Sequence, residues 1–334
     1  MKVAVYSSKA YDIDSFNATN HDDSVEMNFL KVGLDEKTAA LAAGHDAVCI
    51  FVNDIADAEV LEKLSENGVK FIALRCAGFN NVDLKKAKEF GIKVARVPAY
   101  SPESVAEFTV GMIMTVVRKY HKAYNRVREG NFLLDGLLGF NLSGKTVGII
   151  GTGRIGLLTG KILSKGFSCN VIAYDVYPNA KAASEYGIKY VDTLEELLKT
   201  SDIVSLHCPL MDSTYHILDE KSLAQTKKGV VLINTSRGGL IDTAALISAL
   251  KTGHIGAVGL DVYEKEEEYF FGDSSSKIIY DDNLSRLISF YNVFITGHQA
   301  FLTNEALHGI AETTLCNLKS LSQDGTSENL VEPR

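Results

Sequence analysis

The stretch Thr146-Val147-Gly148-Ile149-Ile150-Gly151-Thr152-Gly153-Arg154-Ile155-Gly156 decides the fold of this chain. Residues 146–150 predict a buried strand, and the next six residues form a G-x-G-x-x-G pattern that opens a helix ending near Gly166. The first glycine permits a tight turn, the second allows a pyrophosphate to approach the backbone, and the third allows close helix–strand packing. The stretch therefore predicts a dinucleotide-binding βαβ unit, with the pyrophosphate at the helix N-terminus.

An acidic residue after the next strand indicates which dinucleotide is bound. The strand predicted at residues 171–174 ends in Asp175, roughly 20 residues beyond the glycine loop. A carboxylate there can bind the ribose hydroxyls of the adenosine and repels a 2′-phosphate, which favours NAD over NADP. The alternative interpretation of Asp175 is a helix cap or a turn residue.

Strand-like and helix-like runs alternate along the whole chain, which predicts parallel sheets covered by helices on both faces. The first set of strands is predicted at residues 3–6, 47–52, 70–74 and 93–97. The second set is predicted at residues 146–150, 171–174, 203–207, 229–234, 257–261 and 292–296. The two sets predict an α/β protein with two doubly wound domains.

One helix is expected to connect the two sets. Ser101-Pro102-Glu103 is a typical helix start, and apolar residues then recur at helical spacing until the helix ends near Gly130. A helix of this length can leave one domain and begin the next. The polar C-terminus from Ser322 is expected to fray.

Composition excludes several functional classes. The 334 residues are 46% hydrophobic and carry a net charge of −8, which favours neither nucleic acid nor an anionic membrane surface as a partner. No apolar run is long enough for a transmembrane helix. The five cysteines are scattered without a C-x-x-C pair, so we expect free thiols, no metal site and a cytoplasmic location.

Three polar residues follow strands of the second set, where ligands of open α/β sheets bind. Arg237 follows residues 229–234, Glu266 follows 257–261, and His298 follows 292–296. A protonated histidine can neutralise the charge that develops on a ketone oxygen during reduction, and an arginine can bind a substrate carboxylate. A carboxylate bonded to the histidine would orient its ring, although spacing alone does not choose Glu266 over Glu264 or Glu267. Each residue alone is more often a surface or structural group.

Several longer segments carry a resemblance to a known family. They are Arg75-Cys76-Ala77-Gly78-Phe79-Asn80-Asn81-Val82-Asp83, Val97-Pro98-Ala99-Tyr100-Ser101-Pro102, the glycine loop, Ser205-Leu206-His207-Cys208-Pro209-Leu210, Asn234-Thr235-Ser236-Arg237-Gly238, Gly259-Leu260-Asp261-Val262-Tyr263-Glu264 and Gly297-His298-Gln299-Ala300-Phe301-Leu302-Thr303. Over residues 1–321 the chain resembles the D-2-hydroxyacid dehydrogenase family, and within it the fermentative NAD-dependent D-lactate dehydrogenases of bacteria.

The resemblance implies a role for each matching residue. Arg237 is expected to bind the substrate's carboxylate and carbonyl, with His298 as acid and base and Glu266 as its partner. The expected substrate contacts also include Cys76, Ala77, Gly78, Phe79, Tyr100 and Phe301, whereas Asn80 and Asn81 are expected to shape their loop. The expected cofactor contacts are Gly151, Gly153, Arg154, Ile155, Gly156, Asp175, His207, Cys208, Pro209, Thr235 and Asp261, with Cys208 taking no part in the chemistry.

The family also implies an architecture. A NAD-binding Rossmann domain, residues 101–298, is inserted in a flavodoxin-like substrate domain, residues 1–100 and 299–334, and the cleft between such domains closes before hydride transfer. Relatives suggest a homodimer or a homotetramer.

The implied function is reversible reduction of pyruvate to D-lactate with NADH. The first alternative is a D-2-hydroxyacid dehydrogenase for a bulkier 2-keto acid, such as phenylpyruvate or 2-ketoisocaproate. The second is an NAD(H)-sensing binding protein, and a third is a nucleotide-binding fold without hydride transfer, which leaves Arg237 and His298 unexplained.

Overall fold

Two parallel β-sheets organise the chain, each in its own unit. The structure is a computed structural model and describes residues 1–21 and 24–333. Unit 1 comprises Met1–Ser101 and Leu302–Arg334, and unit 2 comprises Pro102–Phe301. The domain boundaries expected from the sequence lie one and three residues before these divisions.

The sheet of unit 1 has five parallel strands in the order β2-β1-β3-β4-β5. The order turns back at β1, as in flavodoxin-like folds. The strands are β1 Lys2–Val5, β2 Glu26–Phe29, β3 Ala47–Ile50, β4 Phe71–Leu74 and β5 Lys93–Arg96, and the helices between them are α1 Ala10–Thr19, α2 Ala58–Glu66 and α3 Leu84–Glu89. Every residue of β3 is buried, as expected for a strand covered on both faces.

The sheet of unit 2 has seven parallel strands in the order β12-β11-β10-β9-β6-β7-β8. The strands are β6 Thr146–Ile150, β7 Asn170–Tyr174, β8 Ile188–Tyr190, β9 Ile203–Leu206, β10 Val230–Asn234, β11 Ile255–Leu260 and β12 Val293–Ile295. The helices are α4 Pro102–Arg118, α5 Tyr120–Arg128, α6 Arg154–Phe167, α7 Ala180–Tyr186, α8 Leu194–Thr200, α9 Glu220–Ala224, α10 Thr243–Lys251 and α11 Asp282–Ser289. The chain order reverses at β6, so the glycine loop that follows β6 lies at the switch point of a Rossmann-type sheet.

The last helix, α12 (Asn304–Asp324), returns to unit 1. Its residues Ala311, Leu315 and Leu318 pack with Phe16 of α1 and with the apolar side chains of the five-stranded sheet. Unit 1 is thus assembled from both ends of the described chain, whereas unit 2 is continuous in sequence.

The predicted strands all correspond to strands of the structure, with ends that differ by at most two residues. Strands β2 and β8 were not predicted. Both lie at sheet edges, where fewer side chains are covered: β2 alternates exposed and half-buried residues, and β8 is only three residues long.

The prediction of one continuous helix to Gly130 is wrong. The helix breaks at Lys119, whose φ of 55° is left-handed and separates α4 from α5. The chain then folds back against the end of α4: the Lys119 ammonium donates to the carbonyl of Gly136 at 2.9 Å, and a Cβ on Gly139 would lie 2.3 Å from the carbonyl oxygen of Val117. The backbone of residues 136–139 thus packs against the end of α4, where the helix breaks.

The prediction that the chain frays from Ser322 is also wrong for the described residues. Helix α12 continues to Asp324, and the following segment then runs beside the edge strand β5. Arg96 N donates to Asn329 O at 3.1 Å and Val331 N donates to Val94 O at 2.8 Å. The polar side chains expected to favour solvent also hold this segment, because Asn329 Nδ2 donates to Asn317 Oδ1 at 2.9 Å. In the described part of the chain, no helix is both long enough and apolar enough to cross a bilayer.

Candidate active site

The glycine loop has the shape that a dinucleotide requires. Gly151 has a φ of 93°, and a Cβ there would lie 2.5 Å from Cys208 N, so only glycine fits. A Cβ on Gly156 would lie 2.1 Å from Gly151 O, which keeps α6 close to β6. A Cβ on Gly153, by contrast, would meet nothing within 4 Å. Open space thus lies beside the start of α6, with Arg154 exposed and Ile155 half-buried, and these residues fit a bound pyrophosphate.

Asp175 is held in place by the glycine loop itself. Its Oδ2 accepts hydrogen bonds from Thr152 N at 2.5 Å and from Thr152 Oγ1 at 2.8 Å. The Thr152 hydroxyl in turn accepts from Tyr190 OH at 2.8 Å. The carboxylate therefore lies beside the loop, and the two residues that orient it, Thr152 and Tyr190, were not predicted. No pattern in the sequence pairs Thr152 with Tyr190, because they are 38 residues apart and meet only through the sheet.

His207 and Cys208 lie against the glycine loop but supply no charge. A Cβ on Gly156 would lie 3.2 Å from the Cβ of His207. The Nε2 atom of His207 is 2.9 Å from Ser205 Oγ. Burial lowers the pKa of His207 to about 4, so its ring is neutral at neutral pH. Burial raises the pKa of the neighbouring Cys208 thiol to about 11, which keeps it protonated. Pro209 is exposed.

The loop after β10 presents Arg237. Asn234, the last residue of β10, accepts from Ser236 N at 3.0 Å and donates to Arg237 O at 2.8 Å. Ser236 Oγ donates to Cys208 O at 2.8 Å, which ties this loop to the one after β9. Thr235, a predicted cofactor contact, is buried and its hydroxyl lies 2.8 Å from that of Thr109 on α4.

Glu266 and His298 are in direct contact. Glu266 Oε1 lies 2.7 Å from His298 Nδ1, and Glu266 Oε2 accepts from Tyr263 N at 2.9 Å. The two side chains are only 17% and 15% exposed, so the hydrogen bond is largely shielded from water. The rings of Phe271 and Phe301 lie 5.6 Å and 6.4 Å from the imidazole, measured between centroids. Because Nδ1 is hydrogen-bonded to Glu266, the other ring nitrogen, Nε2, is the one available to contact a substrate.

The structure also separates Glu266 from its neighbours in the acidic run. Glu264 bonds a different histidine, with Oε1 2.6 Å from His216 Nε2, and Glu267 is exposed. Spacing left these three acids as alternatives for the partner of His298. The geometry selects Glu266.

The segment that carries His298 is held by Asp261. The Asp261 carboxylate is fully buried and accepts hydrogen bonds from Thr296 Oγ1, Gln299 N and Ala300 N at 2.5, 2.8 and 2.9 Å. His298 N donates to Asp261 O at 2.7 Å, and His298 has a left-handed φ of 56°. Such a conformation costs energy for a side chain other than glycine and persists only where its surroundings impose it.

In unit 1, the predicted substrate loop has its own supports. Arg96 donates from Nη1 to Ala77 O at 2.8 Å, and its guanidinium carbon lies 5.2 Å from the ring centroid of Phe79. Cys76 Sγ donates to Gly78 O at 3.3 Å. Asn81 Nδ2 donates to two carbonyls, those of Phe51 and Asp54, each at 2.8 Å. That Asn81 shapes this loop and does not touch substrate stays a prediction, and the contacts of Arg96 with the loop were not predicted.

Tyr100 is half-buried at the end of the first segment of unit 1. Its backbone is approached closely by α12, because a Cβ on Gly309 would lie 3.1 Å from Tyr100 O. The predicted residues are therefore divided: Arg237, Glu266, His298, Phe301 and the cofactor contacts lie in unit 2, and residues 76–79 and Tyr100 lie in unit 1.

Comparison with known proteins gives the family. Residues 110–300 match the family described as D-isomer specific 2-hydroxyacid dehydrogenase, NAD binding domain. D-lactate dehydrogenase of Escherichia coli (strain K12) is 54% identical over 329 residues, which cover 98% of this chain and 99% of that protein. This chain therefore belongs to the D-isomer specific 2-hydroxyacid dehydrogenase family.

Solved structures of D-lactate dehydrogenases and of a D-isomer specific 2-hydroxyacid dehydrogenase align with nearly the whole chain. The apo structure of D-lactate dehydrogenase from Escherichia coli aligns with a TM-score of 0.89 at 52% identity, over 99% of this chain and 100% of that one. The NAD-complexed D-isomer specific 2-hydroxyacid dehydrogenase from Lactobacillus delbrueckii ssp. bulgaricus aligns with a TM-score of 0.78 at 34% identity, over 99% and 100% of the two chains. The α/β fold with two doubly wound sheets, the class of NAD-dependent oxidoreductase and NAD as cofactor are confirmed.

Acidification is expected to destabilise the protein through His207. Its folded-state pKa of about 4 lies below the ordinary 6.5, so its neutral burial contributes stability above pH 6.5 that is lost as the pH falls towards 4. The loss is at most about 3 kcal/mol. Urea unfolding of the wild type and of His207→Gln, at neutral pH and near pH 5, should show a smaller pH dependence in the variant. The exposed control His308→Gln should keep the wild-type pH dependence, and an unchanged dependence in His207→Gln would contradict this assignment.

Proposed function

We propose that this chain is an NAD-dependent D-lactate dehydrogenase that reduces pyruvate to D-lactate and catalyses the reverse reaction. The observation that carries the proposal is the shielded 2.7 Å hydrogen bond between Glu266 and His298, in the unit that contains the glycine loop. The E. coli relative with that activity in its name supports pyruvate as substrate. The D configuration of the product is supported by the family.

His298 is proposed to supply and remove the proton. In the reducing direction a hydride reaches C2 of pyruvate, which is the chemistry that bound NADH supplies. Charged His298 donates its Nε2 proton to the carbonyl oxygen, where negative charge develops, while Glu266 remains bonded to Nδ1 and stabilises the ring's charge. In the reverse direction neutral His298 accepts the hydroxyl proton at Nε2. Each turnover thus converts pyruvate, NADH and one proton into D-lactate and NAD⁺.

Arg237 is proposed to anchor the substrate. A guanidinium can bind a carboxylate and the adjacent carbonyl oxygen through parallel N–H groups, which fixes the orientation of C2. The bonds of Asn234 to Ser236 and Arg237 fix the backbone from which this side chain projects. We also propose that the backbone N–H groups of residues 76–79 bind the carboxylate and that Tyr100 and Phe301 contact substrate.

The cofactor contacts are proposed as follows. Gly151, Gly153, Arg154, Ile155 and Gly156 bind the pyrophosphate, and Asp175 binds the adenosine ribose. The remaining wall is formed by His207, Cys208, Pro209 and Thr235, and Asp261 is proposed to lie behind it. Since the carboxylate of Asp261 is fully buried, its contribution is to hold the His298 segment.

The substrate is tested by following NADH oxidation at equal concentrations of pyruvate, phenylpyruvate and 2-ketoisocaproate, with chiral analysis of the product. We expect pyruvate to react fastest and to give D-lactate. Preference for a bulkier acid would retain the mechanism and replace the substrate. No turnover of any acid by a protein that still binds NADH would overturn the proposal in favour of an NAD(H)-sensing protein.

Replacement of His298 by glutamine tests the proton donor. Glutamine can still hydrogen-bond Glu266 but cannot transfer a proton, so kcat should fall by about 10²- to 10⁴-fold. The dissociation constant of NADH, measured by fluorescence titration, should stay near the wild-type value. His308→Gln is the matched control, because His308 is exposed and lies in unit 1. Near-normal turnover in His298→Gln would remove His298 from the mechanism.

Asp175→Ala tests the cofactor preference. Loss of the carboxylate removes both an acceptor for the ribose hydroxyls and the repulsion of a 2′-phosphate, so the ratio of kcat/KM for NADH to that for NADPH should fall by about tenfold or more. Asp192→Ala, which removes an exposed carboxylate of the same unit, should leave the ratio unchanged. The same ratio in wild type and Asp175→Ala would refute the assignment.

The chain is proposed to form a homodimer or a homotetramer. Large apolar side chains are exposed along one stretch of unit 2, among them Phe132 at 73%, Leu134 at 81% and Leu138 at 87%. Exposed apolar clusters of this kind mark association surfaces. Light scattering should give a mass of two or four times 36.4 kDa, and a stable monomer would contradict the proposal.

The cytoplasm is the proposed location. The five cysteines are free thiols in the structure, four of them buried, as is typical of proteins in a reducing compartment. Activity in the soluble fraction of gently lysed cells would agree with this, and activity confined to an extracellular or membrane fraction would not.

A further inference from the structure

A second histidine–glutamate contact lies close in sequence to the first. Glu264 Oε1 is 2.6 Å from His216 Nε2 and 3.4 Å from Tyr215 OH, and Glu264 Oε2 accepts from Thr243 Oγ1 at 2.8 Å. The ring of Tyr215 stacks on that of His216 at 3.9 Å between centroids. His216 and Glu264 are 25% and 22% exposed, so both are mostly enclosed. We refer to Tyr215, His216, Thr243 and Glu264 as the Glu264 cluster.

The Glu264 cluster joins three chain segments. His216 N donates to Gly239 O at 2.9 Å, and Leu218 N donates to Leu240 O at 3.1 Å, which pairs the first segment with the second. The Glu264 side chain then bonds both of these segments, through His216 and through Thr243. One carboxylate therefore connects residues 215–218, residues 239–243 and its own segment, residues 263–266.

Two of these segments adjoin residues of the proposed mechanism. Arg237 immediately precedes Gly238, and a Cβ on Gly238 would lie 2.1 Å from both the carbonyl carbon and the oxygen of Tyr263. Glu266 follows Glu264 by two residues and accepts from Tyr263 N. The backbones next to Arg237 and Glu266 are therefore in contact, and the Glu264 cluster holds them together.

We propose that Glu264 and His216 are positioning residues, which fix the anchor Arg237 relative to the Glu266–His298 pair without touching substrate. The inference rests on the proposed function, because it takes Arg237 as the group that binds the carboxylate. A displacement of about 1 Å at a reacting centre can cost on the order of 10²-fold in rate. The hydrogen bonds of Glu264 act on the two backbones whose separation sets that geometry.

The chain offers a matched control. Glu267 belongs to the same acidic run but is exposed, so Glu267→Ala changes the net charge equally without altering the Glu264 cluster. Glu264→Gln is the conservative variant: its amide oxygen can accept from Thr243, and its amide nitrogen can donate to His216. Thr243→Val removes one bond to Glu264 and provides a milder variant if Glu264→Ala does not fold.

The experiment measures KM for pyruvate and kcat for each variant, the dissociation constant of NADH by fluorescence titration, and the binding of oxamate, a pyruvate-like anion, to the NADH complex. Glu264→Ala should raise KM for pyruvate about tenfold and weaken oxamate binding similarly, with NADH affinity unchanged. Glu264→Gln should restore most of the loss, and Thr243→Val should give a smaller change in the same direction. Glu267→Ala should match the wild type.

Two outcomes would overturn the inference. One is a lower Tm for Glu264→Ala with unchanged KM, kcat and oxamate affinity, which is the result of a structural role alone. The other is an equal change in Glu267→Ala, which would be a charge effect. The variant Arg237→Lys distinguishes failure of this inference from failure of the proposed function. If Arg237→Lys raises KM for pyruvate while Glu264→Ala does not, only this inference fails. If the wild type does not turn over pyruvate, the proposed function itself fails.

Discussion

The buried carboxylate of Asp261 is the constraint that holds the segment carrying His298 in place. A buried charge is tolerated only where hydrogen bonds replace its lost solvation, and here all of its bonds go to the segment at residues 296–300. The bonds hold that segment in a turn that places His298 in a left-handed conformation. In this turn the imidazole lies against Glu266, with Nδ1 2.7 Å from Oε1. The contact between Glu266 and His298 is thus supported by three buried hydrogen bonds that neither of these two side chains makes.

The features of the fold that the sequence predicted are those determined by residues close together in the chain. The central strands β9 and β10 are buried on both faces, so their apolar runs are visible in the sequence. The glycine loop has steric requirements that only glycine meets at Gly151 and Gly156. The edge strands β2 and β8 carry no such signal because burial does not dictate their side chains. The break at Lys119 and the ordered C-terminal segment depend on distant residues, Gly136 and β5, that are not adjacent in the sequence.

The candidate site shows the same division. The ends of the predicted strands indicated where Arg237, Glu266 and His298 would lie, because a parallel sheet brings the carboxyl ends of its strands to one edge. The sequence did not show which glutamate contacts His298. The glutamates of the acidic run are chemically alike, and only their neighbours in the fold distinguish them. In the fold, His216 lies against Glu264 and His298 lies against Glu266, while Glu267 is exposed. The supports Arg96, Thr152 and Tyr190 were missed for a related reason: their contacts cross between loops and strands.

The discontinuity of unit 1 has a consequence for synthesis of the protein on the ribosome. Unit 2 is one uninterrupted stretch, so all of its core residues have been made once residue 301 is added. The core of unit 1 includes Ala311, Leu315 and Leu318 of α12, which are synthesised late. The sheet that begins at Lys2 therefore stays partly uncovered until these residues have been added. Domains fold as units once their residues have emerged. The first strand synthesised therefore belongs to the last unit completed, and the interval is one in which the apolar face of that sheet is open to chaperones and to misassembly.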